Sequence, residues 1–148
     1  MRLSKPFFFG PRVQPWLYAV CGAVFIFSFA NEALAMRVLV SCPTTGKVEQ
    51  GMDKTVCHEV TARLTLAYPD VQFAMTPGPA KTAGQMALAV EIRNATAYGL
   101  GLTLIWTTPA GQDVAGELLT VSSLDRALTS DLRNRLYDRA IAASPLPR

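Results

Sequence analysis

Two cysteines, one histidine and a short polar loop hold most of what this chain could use for chemistry. Cys42 and Cys57 are 15 residues apart, and His58 is the one histidine. A dithiol redox site needs two cysteines separated by two residues, which this spacing does not supply. A zinc site would need Cys57 and His58 together, but neighbours on a helix project about 100° apart and cannot converge on one ion. The same geometry removes a Cys–His dyad. What the pair can do is form a disulfide, closing a loop worth ~3 kcal/mol in the chain-entropy description. The expectation is a Cys42–Cys57 bond, no metal and no cofactor.

The residues between the cysteines offer the second candidate. Thr44, Thr45, Gly46 and Lys47 glance at a phosphate loop, but its first glycine is missing and Val48 stands where a magnesium-holding hydroxyl is needed. Placed before a helix, the same loop is suited to an anion, because the first backbone N–H groups of a helix lack partners within it. Thr44, Thr45, Lys47 and Lys54 are the residues expected to hold such a ligand. The acids Glu49, Asp53 and Glu59 do not assemble a pair for acid–base work. Asp53 reads as a helix cap and Glu59 as an exposed helix charge. No nucleophile elbow is present. Asn94, Ala95 and Thr96 match a glycosylation sequon, a pattern too short to carry weight. No catalytic constellation emerges, and the chain is expected not to be an enzyme.

The elements that must position these residues follow from periodicity. Met36–Cys42 reads as a strand, broken by Pro43. Thr55–Ala67 reads as a helix, with Val56, Val60, Leu64 and Ala67 in one apolar stripe and Pro69 stopping it. Val71–Thr76 is a second strand, followed by a Pro- and Gly-rich loop over residues 77–84. In Met86–Arg93 and Leu100–Thr107, large apolar side chains alternate with small or polar ones. A turn over Pro109–Asp113 leads to a closing strand, Val114–Val121. Ser122 and Asp125 resemble a capping box opening a last helix. There Leu124, Leu128, Leu132, Leu136 and Ala140 recur every four residues, and Arg126, Asp131, Arg133, Arg135, Asp138 and Arg139 occupy the other face. The sheet's polar face would carry Ala89, Glu91, Arg93, Gly101, Thr103, Thr107 and Glu117, a second candidate binding surface.

Residues 1–35 read as an export signal. Arg2, Lys5 and Arg12 precede an apolar run from Trp16 to Ala30, and Ala33-Leu34-Ala35 offers the small residues a signal peptidase accepts. The run is 15 residues long, short of the ~20 a spanning helix needs. Cys21 lies inside it after Val20, a poor context for lipid attachment. The remaining segment, 36–148, holds 11 basic and 10 acidic residues, for a net charge of +1. That near-neutral balance argues against nucleic-acid binding, which rests on a basic stripe.

The expected fold is a two-layer α+β domain over residues 36–148, with a mixed or antiparallel sheet, two helices on one face and the order β-α-β-β-β-β-α. This element order is similar to that of small periplasmic domains serving in envelope assembly, including the amino-terminal domain of the Tol translocation protein. The likeness is one of order alone, without a shared motif, and function does not follow from fold. The function expected is that of a small periplasmic or secreted accessory protein binding another cell-envelope protein, touching the membrane only through its signal. The alternative is an anion-binding protein using the loop 43–54.

Overall fold

The computed structural model describes residues 35–80 and 83–147. The expected signal and its cleavage site precede or abut the first described residue, so that reading lies outside the described residues.

Among the described residues seven strands form one mixed sheet. β1 (Met36–Ser41) lies between β3 (Val71–Met75) and β4 (Met86–Arg93) and runs parallel to both. β5 (Gly99–Thr107) pairs antiparallel with β4, then with β6 (Asp113–Ala115) and β7 (Leu119–Ser122). α1 (Met52–Ala67) and α2 (Ser130–Ala143) cover one face. Two helices on a mixed sheet make the two-layer α+β domain that alternation and helical stripes predict.

The register explains the core. Val38 pairs with Met86 and Val40 with Leu88, while Leu88, Val90 and Ile92 stand opposite Trp106, Leu104 and Leu102. These side chains share the helix-covered face, and all except Met86 are almost wholly buried. α1 contributes Val56, Val60 and Leu64; α2 contributes Leu136, Tyr137, Ala140 and Ile141. Trp106 is fully buried, donates from Nε1 to the Ser144 carbonyl at 2.9 Å, and meets the Tyr68 ring edge-on at 6.4 Å. A buried indole N–H needs that acceptor, and the bond fixes where α2 ends.

Four details depart from the sequence reading. A two-residue strand, β2 (Thr44–Thr45), pairs with β4 beyond the end of β1. α1 starts at Met52 after Gly51, whose φ of 79° gives a left-handed entry without a side-chain cap, so Asp53 sits in the first turn and is not the cap.

The closing strand is split. Ala115 pairs with Ile105 but Leu119 with Leu102, so the three residues Gly116 to Leu118 face the two residues Thr103 and Leu104. This one-residue bulge has a physical cause. An unbroken strand would turn Leu119 and Val121 away from the core face, and the extra residue brings both against it. Glu117 falls in the bulge and so leaves the ladder.

α2 begins eight residues after Ser122, which ends β7. Residues 123–128 run as a tether, with Ser123 N bonded to the Tyr98 carbonyl and Leu128 N to the Ala97 carbonyl. Thr129 is the cap, its hydroxyl accepting from Leu132 N at 3.3 Å. The tether buries Leu128 but leaves Leu124 96% exposed, so the leucine row packs from Leu128 through Leu132, Leu136 and Ala140, and Leu124 drops out of it.

Candidate functional site

The disulfide is formed between Cys42 and Cys57, with Cα atoms 5.9 Å apart. It clips the segment after β1 to the second turn of α1. Pro43 follows at once, and the chain then turns along β4: Ile92 N bonds to the Pro43 carbonyl, and Asn94 N to the Thr45 carbonyl. Gly46 closes this turn at φ 75°, and a Cβ there would strike the Asn94 side chain, so glycine is required. Asn94 Oδ1 accepts from Lys47 N at 3.1 Å, and Glu49 accepts from Ala97 N at 2.9 Å. The loop is thus held on the sheet end by backbone bonds together with the Asn94 and Glu49 side chains.

Beside this clip opens a cleft of about 920 Å³. It starts at the amino end of α1, where Asp53, Lys54 and His58 line it. It passes the disulfide and Met75, and continues under the segment Thr76–Ala80 to Ala87 and Ala89 of β4 and Thr107 of β5. Met75 Sδ packs 3.9 Å from Cys57 Sγ. Thr76 N bonds to the Val40 carbonyl, and Ala80 is buried, so both ends of the overhanging Pro77-Gly78-Pro79 are anchored. Alternation places Ala87 and Ala89 on the sheet face away from the helices, and their small side chains leave the space.

Of the four residues expected to bind an anion, Lys54 lines this cleft; Thr44, Thr45 and Lys47 do not. Thr44 and Thr45 are committed to β2, four residues further along β4 than Leu88 and Ala89, the partners of Val40 and Ser41. The residues the sequence missed are the cleft's apolar ones. Their signal was available in the paired small residues Ala87 and Ala89 and in the rigid Pro-Gly-Pro run.

A polar cluster joins the helices. Arg133 donates to both carboxylate oxygens of Glu59, from Nε at 3.0 Å and Nη2 at 2.8 Å, and from Nη1 to the Leu128 carbonyl at 3.0 Å. Tyr137 donates its hydroxyl to Glu59 Oε2 at 2.7 Å. Glu59 is therefore not the exposed helix charge, nor Arg133 part of a solvated face. The Arg133 hydrogen bonds hold the Glu59 carboxyl below its usual range, against the opposing effect of burial, with the Tyr137 hydroxyl assisting. The same pairing raises Arg133, and burial, followed by the Glu59 bond, raises the Tyr137 phenol. A planar guanidinium on a carboxylate with a phenol behind it is a fixed, satisfied structure. Arg63 and Asp138, 3.6 Å apart, add a second, exposed helix–helix pair.

On the far sheet face, Thr103 is buried and its hydroxyl has no partner, while Arg93 pairs with Glu91 at 3.0 Å. Gly101 is buried too. That face is less solvated than its small and polar composition suggests. Among the described residues no group of three or more His, Cys, Asp or Glu side chains converges as a metal site would require, and no helix is long and apolar enough to cross a membrane.

Neither a protein-family model nor a curated protein matches the chain. Its fold is similar to that of the PelC dodecamer from Paraburkholderia phytofirmans, with a TM-score of 0.58 and 12% identity over 77% of this chain and 89% of that one. A point variant of the same dodecamer is similar at a TM-score of 0.56 and 13% identity, covering 74% and 85% of the two chains. The likeness is one of fold.

Proposed function

We propose that the chain is an exported cell-envelope protein that works by binding other proteins, copies of itself included, and performs no chemistry. The observation that carries this reading is the fold shared with PelC, a protein seen as a dodecamer. Two features support it. The disulfide belongs to oxidising compartments such as the periplasm. The groups best suited to chemistry, Glu59, Arg133, Tyr137 and the cysteines, are spent on joining elements. Among the described residues β3 ends the sheet and pairs only with β1, so its outer backbone edge is suited to a further strand.

Native mass spectrometry of the protein purified from an envelope fraction, with mild crosslinking before lysis, tests the reading. A chain beginning near Met36, recovered as a multimer or crosslinked to a second envelope protein, is the expected result. A monomer recovered repeatedly with no crosslinked partner would overturn it.

A further inference from the structure

We propose that the cleft between the amino end of α1 and the Pro77–Pro79 overhang binds a single-chain amphiphile: an aliphatic chain carrying an anionic head. This stands apart from the protein-binding reading and does not need it.

Size comes first. At about 920 Å³ the cleft is near the top of the range for ligand sites, ~300–1,000 Å³. Its walls decide the body of the ligand. The disulfide, Met75, Pro43, Pro77, Pro79, Ala87 and Ala89 present sulfur and carbon. The polar side chains on the sheet side are the hydroxyls of Ser41, Thr76 and Thr107, too few to satisfy a sugar or nucleotide. An aliphatic chain leaves nothing unpaired there, and Met75, more than half exposed, can adjust to it.

Charge decides the head. Among the described residues, every ionisable group in the lining comes from the first two turns of α1, so the charge is gathered at that end of the cleft. Lys54 and His58 are one turn apart on the same helix face. Asp53 is the single acid among the described lining residues, and it stands at a helix end whose partial positive charge no side-chain cap offsets. Lys54 offsets the one carboxylate, and the helix end tips the balance, which selects a carboxylate or phosphate head over an ammonium. A free fatty acid and a lysophospholipid share this chemistry.

The test is calorimetric titration of the purified, oxidised protein with dodecanoate and with lysophosphatidylglycerol, both below their micellar concentrations. Saturable one-to-one binding of either is expected, and the tighter one identifies the source. Ala89→Phe, which fills the cleft, should weaken binding at least about tenfold, or ~1.4 kcal/mol. Met75→Asp, at an exposed position that the core does not use, should do the same if Ala89→Phe fails to fold. Lys54→Glu should weaken dodecanoate but not dodecanol. No saturable binding, or binding that both Met75→Asp and a folded Ala89→Phe leave intact, overturns the site. Equal losses for dodecanoate and dodecanol on Lys54→Glu overturn the assignment of the head.

Discussion

Along α1, Cys57 and Glu59 stand two residues apart yet are fastened to different layers by different bonds. Cys57 is tied covalently to the segment after β1, on the side where the cleft removes packing partners. Glu59 is held by Arg133 and Tyr137 of α2, on the side where Val60, Leu64, Leu136 and Tyr137 fill the space between helices and sheet. Where side chains interlock, a polar clasp suffices to fix which faces meet. Where a cavity must stay open, a covalent bond substitutes for the missing contacts. A cleft can then exist at the end of a small domain without fraying the helix that borders it.

The packed half should show the largest response. Leu64→Ala removes a fully buried side chain beneath α1 and should cost ~2–5 kcal/mol. Met75→Ala, in the cleft wall, should cost much less. Denaturant midpoints for the two variants measure the contrast directly. Equal losses would mean that the cleft side is packed as tightly as the core and that the comparison fails.

The disulfide comes next. Replacing Cys42 and Cys57 together with serine should cost ~3 kcal/mol, the value for a 15-residue separation. The loss should also be local in its dynamics. Amide exchange over residues 52–57 should accelerate far more than over residues 60–67, which α2 and the sheet still hold. Uniform acceleration along α1 would show that the bond supports the whole domain and not its cleft-side half.

Much of this architecture was legible in the sequence, and the losses have identifiable causes. The alternating runs of β4 and β5 and the Val56–Val60–Leu64 stripe are strong because each buries one continuous face. The disulfide was legible because two cysteines in the expected mature segment allow a single pairing. The start of α2 was missed because Leu124 and Leu128 extend a perfect four-residue repeat, while the backbone bonds from Ser123 and Leu128 to the Tyr98–Ala97 turn hold that stretch as a tether. The split of the last strand was missed because a bulge shows only as a phase change, Leu118 next to Leu119, within an otherwise plausible strand. Glu59 reads as a solvated charge in the sequence because its partner lies 74 residues away, and no local pattern reports that. The cleft is only half legible for a related reason: the small residues Ala87 and Ala89 and the Pro-Gly-Pro run mark two of its walls, but a cavity is an absence shared by elements distant in sequence.

The clasp should respond less strongly than the staple, and with a defined pH dependence. Glu59→Gln leaves Arg133, whose side chain is 17% exposed, facing a neutral amide, at a cost of ~1–3 kcal/mol. Because the folded carboxyl titrates below the ordinary value, about 4.3 when unfolded, its contribution is fully present above that value and is lost as pH falls through the folded pKa. Unfolding midpoints taken from pH ~6 downward should therefore fall more steeply for the native protein than for Glu59→Gln. Parallel curves would mean that the clasp contributes nothing through its charge. Tyr137→Phe, which removes one of the three bonds to the carboxylate, should reproduce a fraction of the effect.

The smallest expected effect is the most diagnostic of how α2 is built. If the leucine repeat packed from its first residue onward, Leu124→Ala would cost as much as Leu136→Ala, ~2–5 kcal/mol. In the structure Leu124 is 96% exposed on the tether, whereas Leu136 is buried against the sheet, so Leu124→Ala should stay within ~0.5 kcal/mol of the native protein. A large loss at Leu124 would move the helix start back to Ser122 and turn the tether into a first turn. Such a result would also remove the irregular stretch that separates the clasped helix pair from the sheet edge. A negligible loss leaves Leu124 as an apolar side chain that the packing of the domain does not need, with the helix capped at Thr129.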